Sequence, residues 1–183
     1  MSTNRRVIPL GERRGDWFFV ACFALFAFTS FFSDALAGLG VEFDPHSDSM
    51  WVRANYWYAA NTDPYFLSYP AHLRVQTFVS GFVFGPFYLV LAYAFAAGKD
   101  WIRVPAVMYV GAMMYGMVIH LGSEFFGGLP PTNLPKFLAF NLPYLLVPLG
   151  LAYRMRRDHP FSEPRLVVAT RREQRRGLAG TGT

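Results

Sequence analysis

Residues 17–40, WFFVACFALFAFTSFFSDALAGLG, constrain this chain more than any other stretch. The first sixteen of them are apolar apart from Thr29 and Ser30. A helix rises about 1.5 Å per residue and needs roughly 20 apolar residues to cross a bilayer core, so the run is long enough to span. Three further apolar runs follow, at about 72–97, 101–126 and 134–156. With 53% hydrophobic, 18% aromatic and only 16% charged residues, the chain is too apolar for an ordinary soluble domain.

The run at 17–40 ends with Ser33 and one carboxylate, Asp34. An acid inside a span costs roughly 2.5 kcal/mol or more unless it meets a partner or a polar cavity. Two readings stand: Asp34 lies near the membrane surface in the last turns of the helix, or it anchors an intramembrane pocket. Prolines 86, 105, 143 and 148 fall inside the later runs and predict kinks that open space between helices.

Charge patterning sets the expected orientation. Fourteen of the 17 Lys and Arg residues fall in the N-terminal segment, the Gly98–Arg103 connection and the tail, and only Arg53, Arg74 and Lys136 fall elsewhere. That asymmetry predicts four spans with both termini cytoplasmic. Although the formal net charge is +5, this distribution follows membrane topology rather than a nucleic-acid surface, and no base-reading module is present. A basic start before an apolar run also suits a secretory signal, but this run is too long for an h-region and no clean small-x-small site follows it. It reads as a transmembrane helix.

The expected organisation is a basic N-terminal segment (1–16), a four-helix transmembrane domain (17–159) and a basic tail (160–183), weakly ordered beyond about Pro160. Residues 41–69 carry Trp51, Tyr56, Trp57 and Tyr58, so this loop is expected on the membrane surface and partly helical around Ser49–Ala60. The lone Cys22 permits no internal disulfide. Gly111, Gly116 and Gly122 are expected to permit close helix approach, and Met113, Met114 and Met117 to pack.

Polar residues within spans are the candidates for chemistry. Ser30 and Asp34 share a helix face, as do His120 and Glu124, and Asn141 and Tyr144 share one on the last span. Each has a structural alternative: His120–Glu124 as an interfacial pair, Asn141 as glue between helices. No phosphate-cradling glycine loop, CxxC or HExxH occurs, and the scattered His and acids do not make a metal ligand set. No cofactor or metal is expected.

The segments NTDPYFLSYPAHLR, GPFYLVLAYAFAAGKDWIRVPAVMY and FNLPYLLVPLGLAYRM resemble the EXPERA domain over about residues 16–160. Its members include the emopamil-binding sterol Δ8-Δ7 isomerase and the sigma-2 receptor. The resemblance implies an all-α membrane protein of four transmembrane helices enclosing a ligand cavity open to the bilayer, often a homodimer. It implies sterols, other lipids or cationic amphiphiles as ligands. Carried onto this chain, the first-span acid falls on Asp34, the isomerase histidine on Ser30, the loop aspartate on Asp63, the last-span asparagine on Asn141 and an aromatic site on Tyr144. Tyr115 joins the candidate ligand-binding residues. Where relatives place a second-span glutamate, this chain offers Gln76, Thr77 and Ser80.

Two functions follow. The first is a binding protein for a sterol, isoprenoid or cationic amphiphile held by Asp34. The second is a double-bond isomerase, with Asp34 as the acid and His120 or Glu124 substituting for the missing partner. An isomerase must deliver a proton to one carbon and remove one from another, and a hydroxyl at Thr77 or Ser80 is too weak an acid for that.

Overall fold

The computed structural model describes residues 5–165, and the tail beyond 165 lies outside the described residues. Four helices are long and apolar enough to cross a membrane: Asp16–Gly38, Ala71–Ala97, Asp100–Phe126 and Leu134–Arg154. They are the first to fourth spans below. Large apolar side chains such as Leu25, Leu89, Val118 and Leu146 project outward from them, as lipid-facing positions do. The protein is a multi-pass, mainly helical membrane protein.

The first span packs along the second and the third along the fourth, with a lighter contact between first and fourth. One half of the bundle is a dry core of Phe23, Phe26, Tyr88, Leu91, Phe95 and Leu151. The rings interlock: Phe23 meets Phe95 edge-on at 5.5 Å, Phe26 meets Tyr88 edge-on at 5.4 Å, and Phe23 lies parallel to Tyr88 at 6.4 Å. In the other half, a smaller cluster of Ala37, Ala59, Tyr65, Phe66 and Leu73 holds the 41–70 connection against the bundle. That connection contains the helix Met50–Asn61, at the place expected for a surface helix.

The close approach of helices occurs elsewhere than at the expected glycines. A Cβ at Gly111 or Gly122 would meet nothing within 4 Å, and at Gly116 only the Gln76 amide at 3.7 Å. Gly111 and Gly122 face open space and Gly116 makes only an ordinary contact, because the third span does not press its glycine face on a neighbouring backbone. The tight seam lies between the first two spans. There a Cβ on Gly38 would come within 2.5 Å of the Phe78 backbone, and one on Gly81 within 2.6 Å of the Ala35 backbone. Backbones meet where side chains are smallest.

Beside this seam, each of the two helices carries one π turn, Ser30–Asp34 and Ser80–Phe84. The Ala35 N–H bonds to the Ser30 carbonyl and the Gly85 N–H to the Ser80 carbonyl, five residues back in each case. In the second span the turn precedes Pro86, whose ring would otherwise strike the carbonyl of Phe82. Pro105 falls in the first turn of its α-helix, where no N–H is needed, so the kink expected there is not required. Pro143 and Pro148 lie inside the fourth span.

At the opposite end, the fold continues past the boundary expected at Pro160. Phe161 is fully buried, and Ser162–Pro164 pairs antiparallel with Arg5–Val7, a small β element in a chain expected to be all-α. Buried Asp16 receives two bonds from Arg154, at 2.7 and 3.0 Å, and a third from Arg13. Arg13 also donates to the carbonyls of Ile8 and Phe95, each at 2.8 Å. Asp100 accepts from the Phe161 N–H at 2.7 Å and from the Ser162 hydroxyl. These bonds gather the two basic chain ends and the Gly98–Arg103 connection at one end of the bundle.

Candidate functional site

Between the four spans and the 41–70 connection lies a cavity of about 670 Å³, a volume suited to a drug- or lipid-sized molecule. Its wall is mostly apolar, with Phe66, Leu73, Phe84, Met113, Met117 and Ile119 among the contributors. The polar groups fall into two clusters. The first is built on the paired π turns.

Asp34 is half-buried and lines the cavity. Ser80 donates to its Oδ2 at 2.6 Å, and Ser30, fully buried behind it, lies 3.4 Å from Ser80. A π turn widens the helix and re-aims side chains, and such turns recur at functional sites. Here both do so at one level, bringing Ser30, Asp34 and Ser80 together. Thr77 also lines the cavity, but its hydroxyl donates to the Leu73 and Arg74 carbonyls of its own helix. Of the two second-span hydroxyls, Ser80 alone reaches Asp34. Tyr144 stacks on Phe26 at 4.2 Å and shares a hydrogen bond with Thr29.

The second cluster sits at the loop end. Asp63, His120 and Glu124 each offer an atom within 4.8 Å of the others. His120 Nε2 lies 3.1 Å from Asn141 Oδ1, while the Asn141 amide N–H₂ donates to the Phe137 carbonyl at 2.9 Å and to the Tyr58 hydroxyl at 3.4 Å. Asp63 is 1% exposed and Glu124 is 0% exposed. Burial pushes the Asp63 carboxyl up to about 6, offset in part by the Phe66 backbone N–H.

Eight of the ten candidate residues line the cavity: Asp34, Asp63, Thr77, Ser80, Tyr115, His120, Asn141 and Tyr144. Tyr115 does so while 71% exposed, at the rim. Ser30 and Glu124 stand behind the wall, Ser30 beside Ser80 and Glu124 beside Asp63 and His120. Sequence reasoning passed over Thr29, Ser33 and Tyr58 as wall residues, and noted Gln76 only among the residues standing in for the second-span glutamate. Gln76 donates to the Gly116 carbonyl at 2.7 Å and so ties the second span to the third. Ser33 is held by Asn55 of the surface helix at 2.5 Å. A polar side chain in an otherwise apolar span was the available signal for Gln76.

A family model described as EXPERA (EXPanded EBP superfamily) matches residues 50–155. The match runs from the surface helix to the end of the fourth span and leaves the first span outside it. Sigma intracellular receptor 2 of Xenopus tropicalis is 32% identical over 80 residues, covering 38% of this chain and 47% of that protein. The chain therefore spans about half the length of that relative.

Proposed function

This chain belongs to the EXPERA family, and from that we propose that it binds a sterol- or isoprenoid-like lipid, or a cationic amphiphile, in the cavity between its spans. Asp34 anchors the ligand's cationic or hydroxyl end, and the apolar wall takes its hydrocarbon body. The observation that carries this reading is the setting of Asp34: one oxygen takes the Ser80 hydroxyl, and the side chain opens on the cavity. A carboxylate within a span is retained where it faces a partner or a binding site. The charge asymmetry supports both termini on the cytoplasmic side, and homodimers are a reading that the family resemblance supports.

Binding is favoured over isomerisation because the group beside Asp34 is a serine hydroxyl and not a second carboxyl. Moving a ring double bond needs an acid and a base placed over two carbons of one ligand. Ser80 steadies the carboxylate but adds no usable proton. The test is to purify the protein in mild detergent, extract it and identify co-purifying lipids by mass spectrometry against an Asp34→Asn control. Enrichment of a sterol- or isoprenoid-sized lipid in the wild type is the expected result. Recovery of bulk phospholipid alone from both would overturn the reading. Incubation with a Δ8 sterol in deuterated water separates binding from turnover, since deuterium in a product with a shifted double bond marks an isomerase.

A further inference from the structure

We propose that Asp63, His120 and Glu124 form a binding site for a divalent transition-metal cation at the loop end of the cavity. The two carboxylates are the starting point. Glu124 is 0% exposed and neither of its oxygens has a hydrogen-bond partner, and Oδ1 of the buried Asp63 has none either. Among the described residues, no Lys or Arg forms an ion pair with either acid. Two carboxylates buried against each other with these three oxygens unpartnered are unfavourable unless a cation or a shared proton lies between them, and the nearby imidazole favours the cation.

The imidazole completes the set. Asn141 offers its carbonyl oxygen to His120, because its N–H₂ is committed to the Phe137 carbonyl. An amide oxygen only accepts, so His120 carries its proton on Nε2 and leaves the Nδ1 lone pair free. A metal-binding histidine has this arrangement: its second ring nitrogen donates to a carbonyl or carboxylate that fixes tautomer and ring orientation. His120 and Glu124 are one helical turn apart on a single span, and Asp63 approaches from the loop across the cavity end. One imidazole nitrogen and two carboxylates suit zinc, iron, cobalt or manganese rather than calcium or magnesium.

The observed separations, within 4.8 Å, must contract for zinc-like bonds of about 2.0–2.2 Å. Asp63 lies in the Thr62–Pro64 link between two helices, where a small shift is absorbed most easily. Three protein ligands leave a coordination position open, the pattern of sites where the metal meets another molecule. Asp63 and His120 both line the cavity, so the open position faces the bound lipid and accepts an oxygen donor from it.

Cobalt(II) is the probe. The full chain, freed of any affinity tag, is purified in detergent, stripped with a chelator and titrated with cobalt while its visible ligand-field absorption and metal content are read. The wild type is expected to bind one cobalt per chain and to unfold at a higher temperature with it. Glu124→Gln and Asp63→Asn are expected to weaken binding at least ten-fold. Asn141→Ala touches no ligand atom and is expected to weaken it roughly ten- to a hundred-fold through His120. If a variant fails to fold, the wild-type stoichiometry and cobalt-dependent thermal shift decide alone. Absence of stoichiometric cobalt in the wild type overturns the proposal and leaves a proton shared by the two acids. Equal binding by a folded Glu124→Gln does so as well, and assigns the metal to exposed histidines such as His46 or His159.

Discussion

Replacing Asp34 by asparagine keeps the side-chain volume and removes the charge, and its effect on amine binding follows from the bonding around the carboxylate. Ser80 occupies Oδ2 at 2.6 Å, and the carboxylate lines the cavity, where a ligand can meet it. A ligand ammonium there makes a charge-assisted hydrogen bond, worth about 1.5–3 kcal/mol, which is lost with the carboxylate. At about 1.4 kcal/mol per decade, Asp34→Asn should weaken a tertiary-amine amphiphile roughly ten- to a hundred-fold. Ser80→Ala, which removes only a neutral donor from the carboxylate, should cost a smaller factor, about two- to ten-fold. A neutral sterol, with no charge to lose, should change little in either variant. The assay is competition between a labelled amine and unlabelled ligands on detergent-solubilised protein, with thermal unfolding as the check on fold. Amine affinity within two-fold of wild type in a folded Asp34→Asn protein would refute the anchoring role and return Asp34 to a surface position.

Three more outcomes are expected. On a Cys22→Ser background, cysteines at Asp44 or Gly128 should react with an impermeant reagent from outside intact cells and one at Lys99 should not; the reverse pattern sinks the orientation drawn from charge. Gly81→Val, forced against the Ala35 backbone, should lower detergent-state stability by about 1–3 kcal/mol or more, whereas Gly111→Val, in open space, should change it little. Equal thermal midpoints for those two variants would disprove the tight seam. Asp16→Asn leaves Arg13 and Arg154 converging on a neutral side chain and should cost about 3 kcal/mol, while doubling it with Arg154→Met should recover part of that loss.

The spans and the Met50–Asn61 helix were legible because length, hydropathy and aromatic placement are local properties of the chain. Asp34 was legible for the opposite reason, as a charge that the local pattern does not accommodate. What escaped was everything set by contact between distant segments. Glu124 meets Asp63 only because the 41–70 connection folds back over the third span, and no spacing rule encodes that. The π turns carry no hydropathy signature, although Pro86 hinted at one of them. The tight seam had a visible cue that was passed over: GFVFG at 81–85 sets two small residues one helical turn apart, the spacing that lets backbones touch. The glycines chosen instead, on the third span, were judged by type without a partner helix to face. At the tail, Phe161 is an aromatic among charges, and only its ring under Arg13 and Arg154 shows why the chain is held there.

The bonds among Arg13, Asp16, Arg154 and Phe161 also fix an order of events during synthesis. Asp16 is translated and inserted long before Arg154 emerges, so the nascent first span carries a carboxylate that only Arg13 attends until the fourth span arrives. Phe161 and its neighbours come later still and complete the contact. A chain truncated after the third span has its helices but not this closure, and it exposes the Asp16 carboxylate that a finished chain hides. Residue 16 thus has its full set of partners only in a chain that extends through Arg154, and those partners have their aromatic cover only in one that reaches Phe161.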